Sequence, residues 1–301
     1  MKQKPTECIF TVDVEPDWAG LGKGRETYFG LRSLHKLSSV LKRLGIKGTF
    51  FVTGDAANAS TNDMSELYGR GHEIANHGMD HRRLTGLNPT EVRENVREGQ
   101  RCIREIIGVD PVGFRCPYGM VNGQILVELA RQGYLYDSSM IPTPWHLTHL
   151  KSALGSIPTA PRRPHKVVLA EGLSIFELPI SVSEPLRLPL GSYWMQLLGY
   201  RVFMWLFERA DWQMPLIAYS HSWTVAGISR GASVSPIVDR IGYRNRGNAE
   251  FDMLCRFLRY LARAGVVFLT CRDALNSMGS NWPSHRASDC GIDLAFSEPV
   301  N

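Results

Sequence analysis

Short apolar runs, rich in β-branched and aromatic residues, recur along this chain and restrict its fold more than any other feature. They cover Cys8–Val14, Lys47–Thr53, His72–Asn76, Val112–Arg115, Tyr134–Asp137, Ser174–Ile180, Pro215–His221 and Val266–Thr270. Each is long enough for a strand and too short for a typical helix. Between them the apolar spacing changes from two to about three and a half residues. Leu34, Leu37, Val40, Leu41 and Leu44 form one such stripe, stopped at Gly45. Asn88-Pro89-Thr90-Glu91 opens another, with a capping side chain, a first-turn proline and an acid. Phe251, Leu254, Cys255, Leu258 and Leu261 mark a third, and Tyr193 to Arg209 reads as one unusually apolar helix. Strand alternating with helix predicts an α/β fold, either a parallel barrel or a doubly wound sheet. The 301 residues suit one α/β barrel of about 250 residues. The expected division is a catalytic barrel over 1–278, with a Pro-rich irregular insertion at 140–170, and a polar C-terminal tail over 279–301.

Polar groups gather at the carboxyl ends of these runs: Asp13, Glu15, His77, His81, Arg115, Asp137 and His221. Parallel α/β sheets carry their sites at that end, so the coincidence argues for an enzyme. His77 and His81 are four apart and are expected on one side of a helical turn, where both imidazoles reach one ion. Two histidines and a carboxylate suit a hydrolytic divalent metal. An H-x-x-x-H pair alone is equally readable as structural. Glu15 lies two residues beyond Asp13 and shares its strand face.

The formal net charge is +5 and the 34 Lys and Arg are scattered, which argues against nucleic-acid binding. The six cysteines show no CxxC spacing and read as reduced thiols; Cys116 is expected to be inert. The first residues lack the apolar core of a signal peptide, so a cytoplasmic location is expected. Leu188 to Phe207 carries one charge, Arg201, in its 20 residues. A buried crossover helix is the simplest reading. An interfacial helix meeting the membrane surface or a lipid-linked substrate is the alternative, and Pro189, Gly191 and Gly199 argue against a span.

Taken in order, Thr11-Val-Asp13-Val-Glu15, His77-Gly-Met-Asp-His81, Arg115-Cys-Pro117-Tyr118, Tyr136-Asp137-Ser138-Ser139 and Ser220-His221 resemble the motifs of the polysaccharide deacetylases. This is the NodB-homology family, also called carbohydrate esterase family 4. The resemblance covers roughly 8–140 and 175–275. It implies a distorted (β/α)7–8 barrel with parallel strands and metal-dependent removal of an N-acyl group, usually acetyl, from an amino sugar or glycan. It further implies Asp13 as general base, Arg115 orienting it, and Glu15, His77 and His81 as ligands of one divalent ion. That ion would be Zn²⁺, with Co²⁺, Ni²⁺ or Fe²⁺ as alternatives. The backbone N–H of Tyr118 would meet the oxyanion, and His221 would protonate the leaving nitrogen with Asp137 orienting it.

The chain departs from the usual pattern where Val14 replaces a second Asp, and it resembles a branch with an Asp-x-acid first motif. Gly78 stands where Ser or Thr is usual, and Ser139 and Met140 follow Asp137 where the family often has a second Asp and a Trp. Trp145, Tyr193, Trp194 and Trp223 could line a sugar site or pack in the core. Two other readings remain: a same-fold amidohydrolase acting on a non-sugar amide or cyclic ureide, and an inactive glycan-binding module. Oligomeric state is open.

Overall fold

The computed structural model describes residues 4–16, 28–144, 155–209, 212, 214–223, 248–279 and 282–293. Its strands are β1 (Glu7–Val14), β2 (Thr49–Val52), β3 (Glu73–Asn76), β4 (Gly113–Phe114), β5 (Tyr136–Asp137), β6 (His165–Val168), β7 (Ser174–Glu177), β8 (Leu216–His221), β9 (Val267–Leu269) and β10 (Ser284–Arg286). The helices are α1 (Leu34–Leu44), α2 (Gly54–Ala59), α3 (Thr61–Gly69), α4 (Pro89–Ile107), α5 (Gly123–Arg131), α6 (Ser192–Leu198), α7 (Tyr200–Phe207), α8 (Asn248–Arg263) and α9 (Cys271–Ser277). The strands form one sheet in the order β10-β6-β7-β5-β4-β3-β2-β1-β8, with β9 also on β1. All pairings are parallel except β6 with β7, so the expectation of parallel strands fails at that one pair.

Period-two alternation sorts the strand residues into two cores. Cys8, Phe10, Val12 and Val14 of β1 join Phe50, Val52, Ile74, Leu216 and Ala218 beneath the outer helices. Ile9, Phe51, Ala75 and Ile217 face the other way, into an inner core with Tyr136, Leu178 and Ile180. Both faces of the sheet are therefore buried, which is why these strands read as nearly continuous apolar runs. Thr11, Asp13 and Glu15 continue the inward parity of Ile9, as Tyr219 and His221 continue that of Ile217. The polar site is thus the upper end of the inner core.

The curved sheet has no ladder between β7 and β8. Ser181 bridges that gap, its N–H donating to the Ile217 carbonyl at 3.0 Å and its Oγ accepting from the Ile217 N–H at 2.9 Å. On the other side, β8 takes one edge of β1 over Cys8–Asp13, while β9 and β2 divide the other edge. At the amino ends, α9 plugs the barrel. Its first amides donate to Thr49 Oγ1 and to the buried Glu73 carboxylate at 2.8 and 3.0 Å.

Three local expectations change. The Tyr193–Arg209 stretch is two helices, α6 and α7, broken at Gly199 (φ 79°). Phe203, Leu206 and Phe207 are buried, whereas Val202 and Trp205 are about half exposed. No helix among the described residues is long and apolar enough to cross a membrane. The 140–170 segment is not wholly irregular: Ala160 is buried and β6 lies near its end, while 145–154, including Trp145, fall outside the described residues. Nor is the stretch after 279 merely a polar tail. β10 joins β6, and Ala287, Cys290 and Ile292 are buried against Val167 and Ile175; residues 294–301 fall outside the described residues, as do 17–27. The α2 helix, with Thr53 as its cap, was not foreseen.

Candidate metal and catalytic centre

Five strand ends converge here. β1 supplies Thr11, Asp13 and Glu15, and the loop after β3 supplies His77 and His81. Arg115 follows β4, Ser138 follows β5, and β8 ends at His221. All but His221 are nearly inaccessible, and its side chain is 17% exposed.

His77 and His81 are not on a helical turn. Gly78 (φ 78°) and His81 (φ 56°) both adopt left-handed backbone, so an irregular loop brings the rings to a centroid separation of 5.1 Å. The loop is held on every side. Asn76 Oδ1 accepts from the Gly78 N–H and Asn95 Oδ1 from the Met79 N–H. The first amides of α2, at Gly54 and Asp55, donate to the Gly78 and Met79 carbonyls at 2.9 Å. Gly99 of α4 packs so close that a Cβ there would stand 2.7 Å from the Gly78 carbonyl oxygen.

Glu15 Oε2 lies 3.1 Å from His77 Nε2 and 2.6 Å from His81 Nε2. These three residues can each turn one ligand atom to a common point, with the atoms all within 4.8 Å of one another. His77 Nδ1–H donates to the Arg115 carbonyl at 2.6 Å, which orients the ring so that Nε2 faces Glu15. Trp223 Nε1–H donates to Glu15 Oε1 at 2.7 Å, leaving Oε2 to the histidines. Burial pushes the Glu15 carboxyl up, but the charge on His81 and hydrogen bonds from both imidazoles hold it well below the usual range. Burial likewise opposes a charged His77, yet Glu15 and Asp13 outweigh it and hold its pKa above the usual histidine value. The cluster thus concentrates negative potential in a dry site. Two imidazoles and one carboxylate, with the outer atoms of His77 and Glu15 already committed, fit a divalent cation.

Beside it, Arg115 is fully engaged. Nη1 donates to Asp13 Oδ1 at 2.7 Å and to Thr11 Oγ1 at 2.9 Å, while Nε and Nη2 donate to the Ser138 carbonyl and hydroxyl at 2.8 Å. Its guanidinium stacks over Phe51 at 4.1 Å. The other Asp13 oxygen, Oδ2, is 3.9 Å from His221 Nε2, which is also 4.0 Å from Glu15 Oε1. Burial holds His221 below the usual histidine range despite those carboxylates. Tyr118 has left-handed backbone (φ 62°), and its ring lies 4.6 Å from that of His81.

The structure brings together seven of the eight expected groups: Asp13, Glu15, His77, His81, Arg115, Tyr118 and His221. Asp137 departs from its expected place as partner of His221. Its carboxylate accepts from the Ser139 hydroxyl at 2.6 Å and pairs with Glu177, directly opposite on β7. Burial raises both carboxyls, and the Asp137 charge raises Glu177 further. The reason is register: Asp137↔Glu177 is set by strand pairing, and the carboxylates that reach His221 come from the adjacent β1. Cys116 is buried and its thiol is pushed well above its usual range, so it is inert. Trp223 is buried, with its ring 4.8 Å from that of His221, and Tyr193 and Trp194 are half-buried on α6. Trp223, Ser138, Asn95 and Gly99 were not foreseen in these supporting roles. Thr11 carried a signal, two residues before Asp13 on the same face.

Residues 29–136 match the family model for polysaccharide deacetylases, and 138–262 match a domain of unknown function, DUF3473. The likeness to polysaccharide deacetylases thus rests on residues 29–136. Asp13 and Glu15 precede the first match and His221 lies in the second, yet one sheet unites them. Among curated relatives, a peptidoglycan-N-acetylglucosamine deacetylase, PgdA, from Listeria monocytogenes is 33% identical over 30% of this chain and 19% of its own length. A chitooligosaccharide deacetylase from Bradyrhizobium is 30% identical over 44% of this chain and 62% of its own. The matches span less than two thirds of those relatives. A Mycobacterium smegmatis structure described as a polysaccharide deacetylase superposes with a TM-score of 0.64 at 19% identity, covering 100% of this chain and 97% of that one. A likeness at that identity carries the fold.

Proposed function

We propose that this protein hydrolyses the N-acetyl group of an amino sugar within a glycan, using one divalent metal ion, zinc by preference. The observation that carries this reading is the Asp13–Arg115 pair, held 2.7 Å apart, beside the buried Glu15–His77–His81 cluster. The names of the relatives, deacetylases of peptidoglycan and chitooligosaccharide, supply the substrate class.

Glu15 Oε2 and the Nε2 atoms of His77 and His81 would hold the ion, which when bound supplies an acidified water and polarises the amide carbonyl. The protein's own groups do the rest. Arg115 fixes Asp13 Oδ1, leaving Oδ2 turned towards His221 to accept the proton of the attacking water. The Tyr118 N–H, on left-handed backbone, would donate to the developing oxyanion. The neutral His221 imidazole lies 3.9 Å from Asp13, a gap that one water would bridge to relay the captured proton. His221 then passes it to the nitrogen as the C–N bond breaks, releasing acetate and the free amine.

The test is acetate release from N-acetylglucosamine oligomers by the purified full chain, metal-free and with zinc restored. Zinc-dependent acetate release is expected. Turnover of a cyclic ureide in place of the sugar would favour the amidohydrolase reading. Oligomer binding without turnover of either would favour an inactive module.

A further inference from the structure

We propose that the outer face of α7 and α8 docks on an anionic lipid bilayer. α7 and α8 lie side by side, with Phe203 and Phe207 packed on Phe257 at 5.3 and 5.1 Å. Their inner residues are thereby spent in the core. The outer side opens as a cleft of about 490 Å³ lined by Lys4, Tyr200, Arg256, Arg259, Tyr260 and Arg263. All four of its cations are exposed. Beside it, the exposed stripe of α7 adds Arg201, with Arg209 two residues past its end, flanking Val202 and Trp205 at 47 and 49% exposure. Against these six cations, the described acids of this region are few. Glu250 is fully buried, leaving Asp252 on α8 and Glu208 just past α7.

Charge complementarity selects an anionic partner, and the apolar pair selects a lipid surface. Half-exposed Trp and Val among arginines match the headgroup boundary, where an indole is buried and guanidinium groups meet phosphate. A glycan would need free ring faces. Here Lys4 lies over Tyr260 at 4.9 Å, Arg256 over Tyr200 at 4.3 Å and Arg209 over Trp205 at 4.1 Å.

Lys4 precedes β1 and Arg263 precedes β9, so the cleft lies towards the amino ends of the strands. Asp13 and His221 lie at the carboxyl ends, so docking leaves the catalytic centre facing away from the bilayer. This inference stands independently of the deacetylase reading.

The test is co-sedimentation of the full chain with phosphatidylcholine vesicles, with and without phosphatidylglycerol. Binding is expected only with phosphatidylglycerol, and weaker as salt rises. Neutralising Arg256, Arg259 and Arg263 together to Gln should weaken it about a hundredfold, at roughly fivefold per cation. Trp205→Ser should weaken it several-fold with the charges intact, and circular dichroism checks that both variants fold. Equal binding to both vesicle types, or unchanged binding by the triple variant, overturns the proposal. So does binding of polygalacturonate through these arginines with no binding to vesicles, which would make the face a site for acidic glycans.

Discussion

Asp13 and Glu15 are two residues apart and buried side by side, yet their partners divide the work. Arg115 and His221 flank Asp13, while His77, His81 and Trp223 surround Glu15. Asp13→Asn should keep the metal and lower turnover by about 10² to 10⁴-fold, the usual contribution of a general base. Acetate-release rates and a metal titration on the same sample check this, and a near-normal rate would remove Asp13 from the mechanism. Trp223→Phe keeps an aromatic ring but deletes the N–H that holds Glu15 Oε1. Outer partners of metal ligands are typically worth about 10–100-fold in affinity, so a loss of that size is expected by competitive chelator titration. An unchanged affinity would show that the indole merely packs.

Elements position those residues through contacts that are tight and often polar. Gly99 is where α4 meets the histidine loop. A Cβ there would stand 2.5 Å from Asn76 Oδ1 and 2.7 Å from the Gly78 carbonyl oxygen. Gly99→Ala should therefore cost about 1–3 kcal/mol in urea unfolding, as overpacking does, and shift the loop enough to weaken metal binding. Two imidazoles outside the site set a pH response. Burial, with Arg70 and Lys47 nearby, lowers His72 to about 4. Burial also lowers His165 to about 4, His285 adding to the effect against the Arg163 carbonyl. Both stay neutral in the fold and charge on unfolding. Their contribution is complete above the ordinary value of 6.5 and is lost as pH falls towards about 4. The raised carboxyls Glu73, Asp137 and Glu177 act with the opposite sign, so the comparison must be with a variant. Between pH 7 and pH 5, the wild type should lose more stability than the His72→Gln, His165→Gln double variant. Equal losses in urea melts would assign the response elsewhere.

At the scale of the whole molecule, five strand ends spread along the chain must close on one point before the site exists. A cation bound there should therefore stabilise the entire fold. At a hundredfold excess over its Kd, the gain is about 2.7 kcal/mol, read as a rise in Tm that chelator reverses. Glu15→Ala should show no such rise. The alternation of strand and helix, the inward parity of Asp13, Glu15 and His221, and the ordered motifs were legible because each depends on residues a few positions apart. Period two on a strand sets a side chain's face whatever the rest of the chain does. Tertiary packing alone decided the left-handed loop of His77 and His81, which the local spacing would have made helical. It also decided the antiparallel β6, the capture of β10 by the sheet, and the break between α6 and α7. Trp223 reaches Glu15 across 208 residues, and Asp137 faces Glu177 and not His221. Local periodicity cannot carry such pairings, because strand order and the register between strands choose them, and the packing of the complete core sets both.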